Sequence, residues 1–297
     1  MDVLCQILIR QSSVETPHAM VEALNKKELV ILGSGMSLAL PAFFCTCATC
    51  EAVRKDPSQR RTRASAALIG QEITLIDAGP DMGWQLEREG IRRVDRIFIT
   101  HWHHDHVLGL GPLAEAAEYA GWPPVHIYVP REVISHFDKE LSYIRRNIVL
   151  HPTTPAQVID LPDAKWEIVK TNHTEHSVGF IVESARRFAY LVDSYIPPPE
   201  TIERLRSLDL LILEATMDHL DTEWKHFTLE QAIDFWKRIG APECILTHLS
   251  CHAWMNGRLT SGFAPEERKE FELKHPGLTV AYDGLRIGLD KVNHEPE

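Results

Sequence analysis

Positive charge is what this 297-residue chain has little of: 31 Lys and Arg stand against 42 Asp and Glu, a net charge of −11. So acidic a chain does not advertise a polyanionic partner, and a nucleic-acid polymer is not expected. No apolar run approaches the length of a membrane-spanning helix, so a membrane is not expected either. The opening "MDVLCQILIRQSS" has a short apolar piece with no basic region before it, so no secretory signal is read and a cytoplasmic location is expected. Repeats, low-complexity tracts and linkers are absent as well. Cysteine is sparse. Of Cys5, Cys45, Cys47, Cys50, Cys244 and Cys251, three crowd into residues 45–50. In a non-secreted chain that crowding favours a metal over disulfides.

What is present reads as one large domain. Residues 1–27 form an N-terminal extension, either a helix packed outside or a loose arm, and 28–297 the domain proper. "ELVILGSG" reads as a buried strand ending in a glycine turn, "ASAALIG" and "EITLIDAGP" as a strand pair, and "VDRIFIT" and "VHIYVP" as further strands. "DMGWQLERE", "LGPLAEAAEYAG", "PPPETIERLRS" and "TLEQAIDFWKRIG" read as helices, the second ended by Gly121 and the third begun by proline. Residues 132–161 have a blurred pattern, read as an insertion or lid. "WEIVKTN", "VGFIVES", "FAYLVDS", "LDLLILEA" and "ECILTHLS" are strands, and "LTVAYDGLRIGL" a closing hairpin around Asp283-Gly284. Strands followed by mixed strand and helix, twice over, predict an α/β fold with two face-to-face sheets and helices outside, an αββα sandwich.

The densest chemistry is "THWHHDH" at 100–106, directly after a strand. Alternate residues of an extended segment project to one side, so His101 and His103 can reach one ion together. Asp105 and His106 come from the following turn and can reach a second ion. Two ions about 3.5–4 Å apart are the usual hydrolytic pair, sharing a bridging hydroxide. More ligands are needed, and His173, Asp193 and His248 each follow an apolar strand. One histidine after a strand is unremarkable; this set of residue types at successive strand ends points to metal.

This set resembles the metallo-β-lactamase superfamily of hydrolases, whose His-x-His-x-Asp-His signature matches "HWHHDH". The resemblance spans about residues 28–289 and implies the metallo-β-lactamase-like αββα fold. It also implies that His101, His103 and His173 hold one ion, Asp105, His106 and His248 the other, and that Asp193 bridges both. His104 falls at the variable position and is read as lying behind the ligands or facing solvent. Asp77, ending "ITLID", matches an aspartate that orients the ligands. His176 competes with His173, but its distance from Gly179 is too short for the family pattern.

"FFCTCATC" offers three thiolates, Cys45, Cys47 and Cys50, suited to a tetrahedral structural zinc with Cys251 or His252 as fourth ligand. Together with "DAG", "AYLVD", "LTH" and "YDGLRIG", this loop resembles the PhnP-like phosphodiesterases of the carbon–phosphorus lyase pathway. Those relatives usually have a histidine where this chain has Cys251, which here suggests a four-cysteine site. The resemblance implies two catalytic divalent ions, zinc or manganese, and one structural zinc. It makes Asp105 and His226 the expected catalytic residues, His226 ("KHFTLEQA") protonating the leaving alkoxide, with His219 the weaker competitor. The substrate it implies is a small cyclic phosphodiester, of ribosyl 1,2-cyclic phosphate or 2′,3′-cyclic nucleotide type, attacked by a metal-bridging hydroxide. Arg145 or Arg146 of "YIRRN" is offered to a second phosphate, against the plainer reading of a solvated charge pair. A homodimer is left open. The rival readings are a thioester, lactone, β-lactam or RNA hydrolase on the same fold, and a biosynthesis or carrier protein like the pyrroloquinoline-quinone protein B family.

Overall fold

The computed structural model describes residues 27–216, 225–251, 253–255, 258–260 and 265–290. The extension up to residue 26, His219 and His252 lie outside the described residues. The first sheet takes β1 (Glu28–Gly33), β2 (Ser65–Ile69), β3 (Ile73–Ile76), β4 (Arg96–Phe98), β5 (Val125–Pro130) and β6 (Ile148–Thr153). The second takes β7 (Val158–Asp160), β8 (Lys165–Lys170), β9 (Val178–Glu183), β10 (Arg187–Leu191), β11 (Leu210–Glu214) and β12 (Glu243–Thr247). A small hairpin joins β13 (Ala253–Met255) to β14 (Arg258–Thr260). Then β15 (Leu278–Val280) adds to β12 and β16 (Leu285–Gly288) to β1.

Three apolar layers follow from this order. Between the sheets, the Phe98 ring stacks on Trp166 at 4.2 Å and on Tyr128 at 4.4 Å between centroids. On the outer face of the first sheet, Val30, Leu75, Ile97 and Ile127 bury against the helices Met82–Glu89 and Leu110–Ala120. On the outer face of the second, Leu211, Leu213 and Leu246 bury against Leu229–Ile239. That last helix starts in a reciprocal capping box between Thr228 and Gln231. The result is the metallo-β-lactamase fold, an αββα sandwich.

Two expectations are corrected. Residues 132–161 are not a lid: after three short helical pieces they supply β6 and β7, the edge strands of the two sheets. Val149 and Val158 are exposed there, so the hydrophobic alternation that marks a half-buried strand is missing. The closing segment is not a hairpin either, because β15 and β16 belong to different sheets. Asp283 makes the crossing. Its carboxylate accepts hydrogen bonds from the backbone and hydroxyl of both Ser34 and Thr62, at the end of β1 and the entry to β2, while Gly284 takes φ 87°.

Strands β3 and β4 of one sheet, and β8, β10, β11 and β12 of the other, all end at one edge of the sandwich. Asp77, His101, His173, Asp193, Glu214 and His248 sit at or just past those ends.

Candidate metal centre

Three of these residues hold a backbone that a non-glycine residue seldom adopts: Asp77 at φ 61°, Asp193 at φ 54° and His248 at φ 55°. Such strain persists where surrounding structure fixes it, and it concentrates at functional sites. Gly79 meets a related demand. A Cβ there would lie 2.1 Å from the Asp105 carbonyl oxygen, so only glycine lets the turn carrying Asp105 and His106 pack against the loop after β3.

Hydrogen bonds set the tautomers. Asp77 is fully buried and accepts from the Thr100 backbone N–H (2.8 Å), the Thr100 hydroxyl (2.8 Å) and His106 Nδ1 (2.7 Å). With its proton given to Asp77, Thr100 Oγ1 accepts from His101 Nδ1 at 3.0 Å. In the second sheet, Thr216 Oγ1 donates to Glu214 Oε2 and accepts from His248 Nδ1 at 2.7 Å. Each ring is thus tied through Nδ1 and turns Nε2 to a common space. In that space His101 Nε2, His106 Nε2, His248 Nε2 and Asp193 Oδ1 are buried and make no hydrogen bond.

Three donor groups share Asp193: one joins it to Glu214, His226 and His248, and the other two hold the residues expected as metal ligands. His101, His103, His173 and Asp193 bring one ligand atom each within 4.8 Å of one another, and so do Asp105, His106, Asp193 and His248. The closest spacings are 3.2 Å for His103 Nδ1 to His173 Nε2, 3.4 Å for His101 Nε2 to Asp193 Oδ2, 3.1 Å for His106 Nε2 to Asp193 Oδ2, 3.3 Å for His106 Nε2 to Asp105 Oδ2, and 2.9 Å for His248 Nε2 to Asp193 Oδ1. Tetrahedral ligands about 2.0–2.1 Å from a zinc ion stand roughly 3.3 Å apart, so both groups fit a divalent ion.

Electrostatics lead to the same reading. Burial holds the His101 imidazole neutral and pushes His173 down to about 4. His106 and His248 are shifted the other way: burial works against their charge, but the carboxylates of Asp77 and Asp193 for His106, and of Asp193 and Asp105 for His248, override it. Asp193 is held far below the usual carboxylate range despite burial, because those two rings face it. The space where these strand ends converge therefore calls for positive charge, and the donor set is one that a cation satisfies.

Replacing Asp77 by Asn should weaken metal retention about 10–100-fold, the usual cost of losing a partner that orients a ligand. Metal content after dialysis against a graded chelator series checks this. Unchanged retention would mean that Thr100 alone orients these rings.

A cavity of ≈ 550 Å³ opens over the two groups, lined also by Met36, Ser37, His104, Thr216 and His226. His104, at the signature's variable position, faces this cavity. The Nδ1 of His226 is 2.7–2.9 Å from both oxygens of Glu214, and its ring is 4.6 Å from that of His173. Burial disfavours the charged ring, but Glu214 and Asp193 raise His226 above the ordinary histidine value. Glu214 is the important residue that sequence reading missed. It is fully buried at the end of "LLILE" and also accepts from the Ser194 N–H at 2.7 Å. Its signal was present, an apolar strand ending in an acid, the same design that picked out Asp77 and Asp193. His176 is on the surface beside Glu175. Arg145 pairs with Asp138 and Arg146 with Glu118 on the exposed surface; neither lines the cavity, which is the plainer reading of that charge pair.

Cys45, Cys47, Cys50 and Cys251 bring their sulfurs within 4.8 Å of one another, with Cys45 and Cys251 3.9 Å apart. A zinc ion about 2.3 Å from each sulfur places them about 3.8 Å apart. Cys47 also caps the helix Ala48–Lys55, its sulfur accepting from Cys50 N–H at 3.4 Å. The Cys45 thiol is shifted down, chiefly by hydrogen bonds from Cys47, whereas burial pushes Cys50 up to about 11.

This arrangement belongs to a known class. The family described as "Beta-lactamase superfamily domain" matches residues 73–249, and the chain is a member of it. Within that superfamily it is PhnP-like: it superposes on a crystal structure of a diphosphatase from the PhnP family with a TM-score of 0.74 and 30% identity, covering 88% of this chain and 97% of that one. An octanoyltransferase of Porphyromonas gingivalis is 30% identical over 276 residues, 88% of this chain but 51% of that protein, so the chain spans about half the length of this relative. Coenzyme PQQ synthesis protein B of Methylobacterium radiotolerans is 26% identical over 88% of this chain and 99% of its own length. The chain therefore belongs to this superfamily and has the metallo-β-lactamase fold.

Proposed function

We propose that the chain is a dinuclear metal-dependent phosphodiesterase that hydrolyses small cyclic phosphodiesters. The observation that carries this reading is the placement of a carboxylate-held histidine, His226 on Glu214, at one cavity with two donor groups joined through Asp193. His101, His103 and His173 would hold one ion, Asp105, His106 and His248 the other, with Asp193 common to both. Bound divalent ions supply charge neutralisation on the phosphoryl oxygens and an acidified water as nucleophile. The chain's own part is positioning and proton transfer. Asp77, Thr100 and Thr216 fix the ligand rings. Glu214 holds His226 through Nδ1, leaving Nε2 to deliver a proton to the departing alkoxide. A cavity of ≈ 550 Å³ suits a substrate of nucleotide size rather than a polymer.

His226→Ala should keep its metals and lose about 10²–10⁴-fold in rate, the usual worth of a positioned acid. The loss should be largest for a cyclic ribose phosphate, whose alkoxide needs the proton, and small for p-nitrophenol. Because Glu214 raises His226, the ring keeps its proton below the raised value and loses it above. Wild-type turnover of the alkoxide substrate should therefore fall on the alkaline side, and His226→Ala should lack that limb. Equal losses on both substrates would reject the general-acid role. The structural relative is called a diphosphatase, so a diphosphate ester belongs in the same panel as the cyclic esters. A non-catalytic carrier would turn over neither these nor bis(p-nitrophenyl) phosphate.

A further inference from the structure

A second cavity, ≈ 830 Å³, shares no lining residue with the catalytic one. Four arginines line it, Arg54, Arg60, Arg61 and Arg88, against two carboxylates, Asp81 and Asp283. On a chain of net charge −11 this is a local excess of cations. Both carboxylates are already engaged, Asp81 by Arg63 and Asp283 by Ser34, Thr62 and Arg88. Arg54 pairs with Glu51, and Arg88 also with Glu89. Among the described residues Arg60 and Arg61 have no acidic partner within ion-pair distance. Arg61 is only 5% exposed, and its hydrogen bonds go to neutral acceptors, the Ser34 hydroxyl at 3.0 Å and the Ala281 carbonyl. Burial pushes its guanidinium down to about 10, against a partial offset from Asp283. Arg61 reaches the Asp283 carboxylate only through the Ser34 hydroxyl, and a buried cation so indirectly compensated gains from an incoming anion. At the rim Phe43 is 88% and Trp84 67% exposed, two aromatic faces left to water beside the arginines.

We propose that this cavity binds an organic phosphate with a flat aromatic body. Its phosphate is held by Arg60 and Arg61, and its ring lies against Trp84. Two guanidinium groups offer more donors than one carboxylate accepts and match the three free oxygens of a phosphate ester. The exposed indole supplies the apolar face that such a ring covers. The cavity volume lies within the range usual for small-molecule sites. This inference does not depend on the reaction proposed above.

The test uses AMP as probe, by equilibrium dialysis and tryptophan fluorescence on the full metal-loaded chain. Saturable binding is expected, weakened about tenfold or more by Arg60→Glu, as removal of a charged hydrogen-bond donor predicts. Trp84→Ala should weaken AMP but not inorganic phosphate, and adenosine should bind less well than AMP. Arg60 is on the surface, so its variant should fold and keep its rate on bis(p-nitrophenyl) phosphate. Arg61→Lys, which keeps the charge but loses the fork, should also weaken AMP. The proposal is overturned by absence of saturable binding, or by AMP affinity indifferent to Arg60→Glu. It is equally overturned if AMP competes with substrate and Arg60→Glu leaves that competition unchanged, since the ligand is then in the catalytic cavity.

Discussion

Asp193→Asn is expected to lower hydrolysis about 10³-fold or more while the chain stays folded. Asp193 is the residue common to both proposed ligand groups, and the imidazoles of His101, His106, His173 and His248 lie within 3.8 Å of its two oxygens. Asparagine keeps its size and tolerates its φ of 54°, so the substitution removes charge without adding the strain an alanine would carry. Loss of a shared anionic ligand weakens metal holding and the several kcal/mol of charge stabilisation the metals supply, and each 1.4 kcal/mol or so is a decade in rate. Steady-state kinetics with metal analysis and far-ultraviolet circular dichroism on one preparation measure all three quantities. A folded Asp193→Asn protein that retains both catalytic metals and most of its rate would remove Asp193 from the centre of the mechanism.

Cys47→Ala is expected to lose one zinc per chain and to melt about 10 °C lower. Metal held by the folded state alone adds its binding free energy to folding, and for a chain of this size several kcal/mol corresponds to roughly that shift. Cys47 has a second job as the cap of Ala48–Lys55, so alanine removes both contributions. Cys47→Ser separates them: a hydroxyl can cap the helix but is a poor zinc ligand. If the four sulfurs hold zinc, the serine variant should lose the ion and most of the stability as well. Should Cys47→Ser retain full stability, the cysteines serve only as a small apolar cluster with Leu40, Ala42 and Val53.

Much of this was legible because the fold delivers chemistry at strand ends. His101, His103, Asp105 and His106 announce themselves by density. His173, Asp193 and His248 stand out because each polar residue interrupts an apolar strand at its exit. Glu214 obeys the same rule and was passed over, since one acid at the end of "LLILE" reads as a strand reaching water. Only the tertiary structure shows it fully buried with His226 for a partner. The errors have a common cause. Edge strands such as β6, with exposed Val149, lack a patterned face, and an Asp-Gly turn signals a reversal without saying which sheet the next strand joins. The Ser37 and Met36 wall of the catalytic cavity and the paired surface arginines were beyond periodicity and motif, because they depend on how loops from distant parts of the chain converge.

The central claim is that two ions act together at Asp193, beside a separate zinc on the cysteines. The most direct measurement titrates metal into stripped protein and follows, in the same samples, metals bound per chain and the rate on bis(p-nitrophenyl) phosphate. The account predicts about three ions per chain at full loading, with activity rising only as the Asp193-linked pair fills. Full activity with a single ion bound would contradict it.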